Sequence, residues 1–190
     1  NISFSYKCER TLRDVSFVVS PGEFVALVGP NGAGKTTLLK ILAGLYVSSS
    51  GVILHDGQNV LLNIEKYRRQ IGYLPERIAL YEDMTVRDYL TYRAVIKGEL
   101  SRRIRRRVEE AIEMCLLREC LKSRIGKLSY GLQKRVALAD ALLLRPRVLI
   151  LDDLFSGLDY KMRSSIGEII RNAASFSSVI VSGHEIADFA

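Results

Sequence analysis

The sequence predicts an α/β fold in which a mostly parallel sheet carries helices and a helical lobe is inserted into it. Three observations lead there. Short apolar runs at 24–28, 148–151 and 179–181 alternate with segments of helical periodicity, the pattern of strands joined by crossover helices. Residues 82–144 hold little glycine and keep a long helical periodicity, so they read as a separate lobe. With 190 residues, 48% hydrophobic and 26% charged, the chain has the material for one domain with a substantial core.

The bulk composition also excludes some classes. No apolar run is long enough to span a bilayer and no signal peptide is visible, so a membrane role must come through a partner. The three cysteines, Cys8, Cys115 and Cys120, lack metal-ligand spacing and read as reduced thiols of a cytosolic protein. A net charge of +7 is compatible with nucleic acid, an anionic membrane surface or nucleotide ligands, and does not choose among them. The chain starts without methionine and stops as a helix begins, which reads as a piece of a longer protein.

Residues 2–6, ISFSY, and 15–19, VSFVV, read as two strands joined through the polar turn Lys7-Cys8-Glu9-Arg10. Tyr6 is either an exposed strand aromatic or a face for a stacked base. Ser20-Pro21-Gly22-Glu23 turns into FVALV, a short run suited to a buried strand. Next come Gly29-Pro30-Asn31-Gly32-Ala33-Gly34-Lys35-Thr36-Thr37, matching G-x-x-x-x-G-K-[ST], and then the helical pattern TTLLKILAGL ending near Gly44. A motif of this kind between strand and helix is a P-loop. Its glycines let backbone N–H groups approach phosphate oxygens, and the helix start adds unpaired N–H groups. Lys35 is expected on the β- and γ-phosphates, and the Thr36 hydroxyl on Mg²⁺.

The segment 51–55, GVILH, reads as a strand before the turn Asp56-Gly57, with His55 facing solvent; 62–70 is a short amphipathic helix; 71–74 is a strand ended by Pro75. Thr85 is placed to cap a helix over VRDYLTYRAVI, and Ser101 a second over RRIRRRVEEAIEMCLL. The five arginines there, Arg102, Arg103, Arg105, Arg106 and Arg107, read as a solvated face with Arg–Glu pairs, because no aromatics interleave with them as in a nucleic-acid surface. Ser129 opens a further helix, broken at Arg145-Pro146-Arg147. The run VLIL then places Asp152 at the carboxyl end of a central strand, where ligands of parallel sheets bind and where a P-loop needs a carboxylate for its metal. Asp153 follows and is suited to polarise an attacking water. After a Gly157-Leu158-Asp159 turn and a helix over 161–174, the last strand ends at Ser182-Gly183-His184-Glu185, which brings His184 to the same edge.

Together with Leu128-Ser129-Tyr130-Gly131-Leu132-Gln133-Lys134-Arg135, similar to an LSGGQ signature followed by a basic stretch, these residues resemble the nucleotide-binding subunit of an ABC transporter. The resemblance covers essentially the whole chain. It implies a P-loop NTPase core with a mostly parallel sheet, an antiparallel β subdomain and an inserted α-helical subdomain. The boundaries would be 1–75 with 146–190 for the core and 76–145 for the signature lobe. By resemblance Tyr6 stacks on adenine, and Gly29, Asn31, Gly32, Ala33, Gly34, Lys35, Thr36 and Thr37 bind phosphate. Ser129 and Gly131 bind the nucleotide of a partner subunit. Asp152 with Thr36 holds Mg²⁺, and Glu76 stands in the loop that senses the γ-phosphate and reaches the metal. Asp153 and His184, with Glu76, form the catalytic set.

Four positions depart from the family pattern: Glu76 where Gln is usual, Tyr130 and Leu132 within the signature, Asp153 where Glu is usual, and Leu154 where Pro is common. The first and the altered signature are similar to several exporter subunits of the ABC-2 type. The implied activity is ATP hydrolysis in a head-to-tail dimer, with an identical or a different cassette, that moves a transmembrane permease. It implies a peripheral position at the cytoplasmic face of the membrane and no nucleic-acid partner. Two alternatives stay open: a soluble ABC ATPase acting on nucleic acid or the ribosome, and a hydrolysis-impaired regulatory cassette. Against the first, Lys35 and Asp152 are 117 positions apart, too close for a long coiled-coil insert, and only one cassette is present. Asp153 keeps the second in play.

Overall fold

A computed structural model describes residues 1–6 and 9–184. The chain opens with a hairpin: β1 (Ile2–Tyr6) pairs antiparallel with β2 (Glu9–Val15), Ile2 opposite Val15 and Tyr6 opposite Glu9. The second strand therefore lies earlier than the expected 15–19. Glu9 already pairs opposite Tyr6, and Leu12 supplies the buried partner to Phe4. Residues 16–19 instead carry the chain toward the sheet, leaving Val18 86% exposed. Lys7 and Cys8 of the expected turn lie outside the described residues.

The turn at Ser20, closed by Glu23 N–H on Ser20 O at 3.0 Å, leads into β3 (Phe24–Val28). The P-loop follows and passes into α1 (Lys35–Leu42). Gly44 ends α1 in a left-handed conformation, φ 70°, with its N–H on Ile41 O and that of Leu45 on Lys40 O, a Schellman closure that satisfies two terminal carbonyls. The strand expected over 51–55 is reduced to β4 (Leu54–His55), paired around Asp56-Gly57 with β5 (Gln58–Asn59). Residues 51–53 belong to no strand; just before them, Ser49 and Ser50 exchange backbone bonds with Ser3 of β1. His55 is half-buried, with its Nε2 3.0 Å from Gln70 Oε1.

A 3-10 turn then precedes α2 (Ile64–Arg68), and β6 (Ile71–Leu74) follows. Thr85 caps α3 (Val86–Ile96): its Oγ1 accepts the Asp88 N–H at 3.2 Å and donates to Asp88 Oδ2 at 2.6 Å. In α4 (Ser101–Met114) the capping position belongs to Leu100, and Ser101 is already the first helical residue, so it makes no cap. The α4 arginines are paired in part as expected, Arg106 with Glu110 at 2.7 Å and Arg107 with Glu110 and Glu99. α5 (Tyr130–Leu142), β7 (Val148–Leu151), α6 (Tyr160–Ala174) and β8 (Ser178–Gly183) complete the order.

The central sheet is parallel throughout, in the order β3-β8-β7-β6. β7 and β8 are its buried centre. β3, expected to be buried, is an edge strand, with Phe24 45% and Val28 42% exposed. An apolar run of this length reads the same in either place. One apolar cluster runs from the helical lobe (Leu90, Ile112, Leu138) into the sheet (Leu149, Leu151, Val179), so lobe and core pack as one. Cys115 and Cys120 are buried free thiols. Among the described residues no helix is long and apolar enough to cross a membrane.

Candidate active site

The P-loop is shaped by its glycines. Gly34 has φ 90°, and a Cβ there would come within 2.8 Å of Leu12 Cδ2 and 3.1 Å of Thr11 O. Only glycine lets the loop pass this close to β2. Because Gly34 also stands at the N-cap, no side chain caps α1 and no acidic residue sits in its first turn. The N–H groups at the helix start thus keep the open, positive character that receives an anion. The Lys35 ammonium folds back over the loop, donating to Gly29 O at 2.5 Å and Pro30 O at 3.0 Å. Asn31 is exposed and Thr37 buried.

Opposite the loop lies the acidic end of β7. Thr36 Oγ1 donates to Asp152 Oδ1 at 3.0 Å, which joins residues 116 positions apart. Ser182, at the end of β8, donates to the same Oδ1 at 2.8 Å. The other oxygen of this buried carboxylate, Oδ2, has no hydrogen-bond partner. Burial raises the Asp152 pKa; the bonds from Ser182 and Thr36 oppose that, and Glu76 and Asp153 add to it. A buried carboxylate oxygen without a donor beside a threonine hydroxyl is a hard-oxygen set suited to a divalent cation such as Mg²⁺. Among the described residues no three His, Cys, Asp or Glu side chains group as a metal site, so the set here is one carboxylate and one hydroxyl.

Asp153 takes a left-handed backbone, φ 47°. Its N–H donates to Ser182 Oγ at 2.9 Å, and its Oδ1 lies 3.5 Å from His184 Nε2. Thr36, Asp152, Ser182, Asp153 and His184 therefore form one connected edge. Sequence reasoning misses Ser182; the signal for it is a hydroxyl directly after the apolar run 179–181. Glu76 is exposed just after β6 and acts on Asp152 through its charge.

The signature segment packs elsewhere. Ser129 caps α5, its Oγ accepting the Leu132 N–H at 3.4 Å. A side chain at Gly131 would meet Met162 of the same chain, 2.6 Å from its Cε. Tyr130, in a place the family gives to glycine, lies against Gly157, within 3.3 Å of where a Cβ would stand. Leu154, where proline is common, is fully buried. Tyr6 is 45% exposed and belongs to an aromatic trio, 4.9 Å edge-on from Phe4 and 6.1 Å from Tyr46.

Comparison with known proteins agrees with this geometry. The family model described as "ABC transporter" matches residues 12–156. The chain is 40% identical over 184 residues to the uncharacterized ABC transporter ATP-binding protein YxlF of Bacillus subtilis, covering 97% of this chain and 61% of that protein. It is 34% identical to the spermidine/putrescine import ATP-binding protein PotA of Haemophilus influenzae, covering 90% of this chain and 46% of that one. The chain thus spans about half to three fifths of the length of these curated relatives. Among solved structures, an ATP-binding subunit of an ABC transporter superposes with a TM-score of 0.85 at 34% identity, covering 98% of this chain and 78% of that one. The cassette MJ0796, a dimer in a post-hydrolysis state bound to ADP and Pi, superposes with a TM-score of 0.87 at 26% identity, covering 99% of this chain and 88% of that one.

Proposed function

The chain belongs to the ABC transporter family, and from that premise we propose that it is an ATP-binding subunit whose binding and hydrolysis of Mg·ATP drive a membrane partner. The observation that carries the reading is the Thr36–Asp152 hydrogen bond, which sets the P-loop hydroxyl beside a buried carboxylate with one oxygen open. Residues 29–37 bind the phosphates, with Lys35 leaving its two carbonyls for the β- and γ-oxygens. Thr36 and Asp152, with Glu76, would hold Mg²⁺. A bound Mg²⁺ neutralises phosphate charge that Lys35 alone cannot. Asp153 orients and polarises the attacking water, and His184, beside it, contacts the γ-phosphate. Tyr6 stacks on adenine.

Ser129 and Gly131 serve the site of a second cassette, so the working unit is a head-to-tail dimer closed by ATP. The division into a core, 1–75 with 146–190, and a signature lobe, 76–145, belongs to the same proposal. So do a permease partner and a peripheral position at the cytoplasmic face of a membrane. One relative's name, an import ATP-binding protein, supports the transport setting. A hydrolysis-impaired regulatory cassette is the second reading, favoured by Asp153 where the family has Glu.

The test is Lys35→Ala. Loss of a charge-assisted phosphate contact removes about 1.5–3 kcal/mol, so Mg·ATP affinity or turnover is expected to fall tenfold or more. Binding by isothermal calorimetry and phosphate release would both be followed. Unchanged values in both sink the assignment.

A further inference from the structure

Lys134 sits on the buried side of α5, in line with Leu138 and Ala141, and is only 1% exposed. It has no part in the proposed nucleotide site. Its ammonium donates to three backbone carbonyls of the loop after β7: Leu154 O and Ser156 O, each at 2.7 Å, and Asp153 O at 3.3 Å. An ammonium has three hydrogens to donate, so its capacity is filled. The Tyr130 ring lies 5.2 Å from the nitrogen, on the side toward the signature. Burying such a cation is unfavourable unless it is fully hydrogen-bonded, and here backbone carbonyls bond it. The side chain therefore fixes the course of a loop.

That loop aims Asp153. A non-glycine residue keeps a left-handed backbone only where its surroundings hold it there. Both peptide groups flanking the Asp153 Cα are held, each from a different element. Ser182 of β8 takes its N–H at 2.9 Å, and Lys134 of α5 takes its carbonyl. Lys134 is also within one helical turn of Gly131 and about one and a half turns from Ser129, the N-cap of α5.

We propose that Lys134 is a positioning residue for Asp153: it ties the signature end of α5 to the carboxylate that orients water, so the signature of a subunit and that subunit's own base move together. This rests on the reading of Asp153 given above. A signature engaged by a partner's nucleotide would then be felt at Asp153 through one side chain and one loop, without any contact between signature and P-loop inside the chain.

The experiment is single-turnover ATP hydrolysis on the intact chain with excess Mg²⁺, beside binding of a fluorescent ATP analogue. Lys134→Met keeps the length and removes the donors. It is expected to lower the single-turnover rate at least tenfold while changing nucleotide affinity less than threefold, and Lys134→Arg is expected to recover part of the rate. In an Asp153→Asn background, the same Lys134→Met change is expected to alter the residual rate less than twofold, because the group it positions is gone. An equal loss in both backgrounds overturns the proposal, since a general packing role gives that result. So does a full rate in Lys134→Met. If Lys134→Met does not fold, Lys134→Gln, a shorter donor, takes its place, with the same loss expected and a full rate again overturning the idea. Failure of the unsubstituted chain to bind Mg·ATP is a distinct result, which removes the ATPase reading itself.

Discussion

The role proposed for Asp153 turns on a single methylene. Aspartate has the charge of the glutamate usual in the family, but its oxygen reaches about 1.5 Å less far. A misplacement of about 1 Å can lower a rate roughly a hundredfold. The pinned, left-handed backbone leaves little freedom to make up that distance. In the proposed site nucleotide binding does not depend on the missing reach, because it rests on Lys35 and Thr36 of the P-loop and on Asp152, whose carboxylate Thr36 and Ser182 hold. The expectation is tight binding with slow hydrolysis, and a rise of about tenfold, or 1.4 kcal/mol off the barrier, in the single-turnover rate of Asp153→Glu. A fall in that variant means that the site is already fitted to aspartate, and the slow-site idea is then wrong.

Among the elements, α2 is short yet closes the end of the P-loop helix. The last carbonyls of α1 have no partners within it. Tyr67 OH donates to Leu42 O at 2.5 Å, and Arg68 donates to Gly44 O through Nε at 3.1 Å and Nη2 at 2.6 Å. Burial of Tyr67 pushes its pKa up from 10.0 to about 12. A raised pKa means that the folded state prefers the protonated phenol. Its stabilisation is complete below pH 10 and is lost as the pH climbs from 10 to 12. Tyr73 and Tyr89 are also pushed up by burial and add to the alkaline loss. Tyr67→Phe is expected to remove one group's share of that slope, about 1.4 kcal/mol per pH unit, after a penalty of about 1 kcal/mol at neutral pH for the lost hydrogen bond. Urea unfolding at pH 8 and pH 11 measures both; an unchanged slope shows that Tyr67 does not titrate in this way.

For the whole molecule, the proposed dimer needs a variant that spares the monomer. Gly131→Asp is a poor choice, because its side chain would first strike Met162 of the same chain. Ser129→Asp is cleaner. Ser129 is exposed and caps α5, and aspartate is an equally good cap, so the fold is kept. The added charge faces phosphate across the interface and repels it. ATP-dependent dimerisation, followed by light scattering in an Asp153→Asn background, is expected to be abolished with the melting temperature unchanged. Dimerisation equal to the parent places the signature away from the interface.

The P-loop, the strand that delivers Asp152 and the caps at Thr85 and Ser129 are legible in the sequence alone. Each is a local pattern, written in residues a few positions apart and governed by backbone chemistry. Where the local signal was ambiguous it misled: the hydroxyl of Ser101 resembled a cap one residue late, and the apolar run 15–19 resembled the strand that 9–15 forms. That β3 is an edge, that Ser182 links Asp152 to Asp153, and that a lysine in the apolar stripe of α5 donates to three carbonyls emerge from the folded chain alone. These facts depend on which distant segments meet. A buried polar group takes whatever partner the packing brings to it, and no periodicity along the chain names that partner.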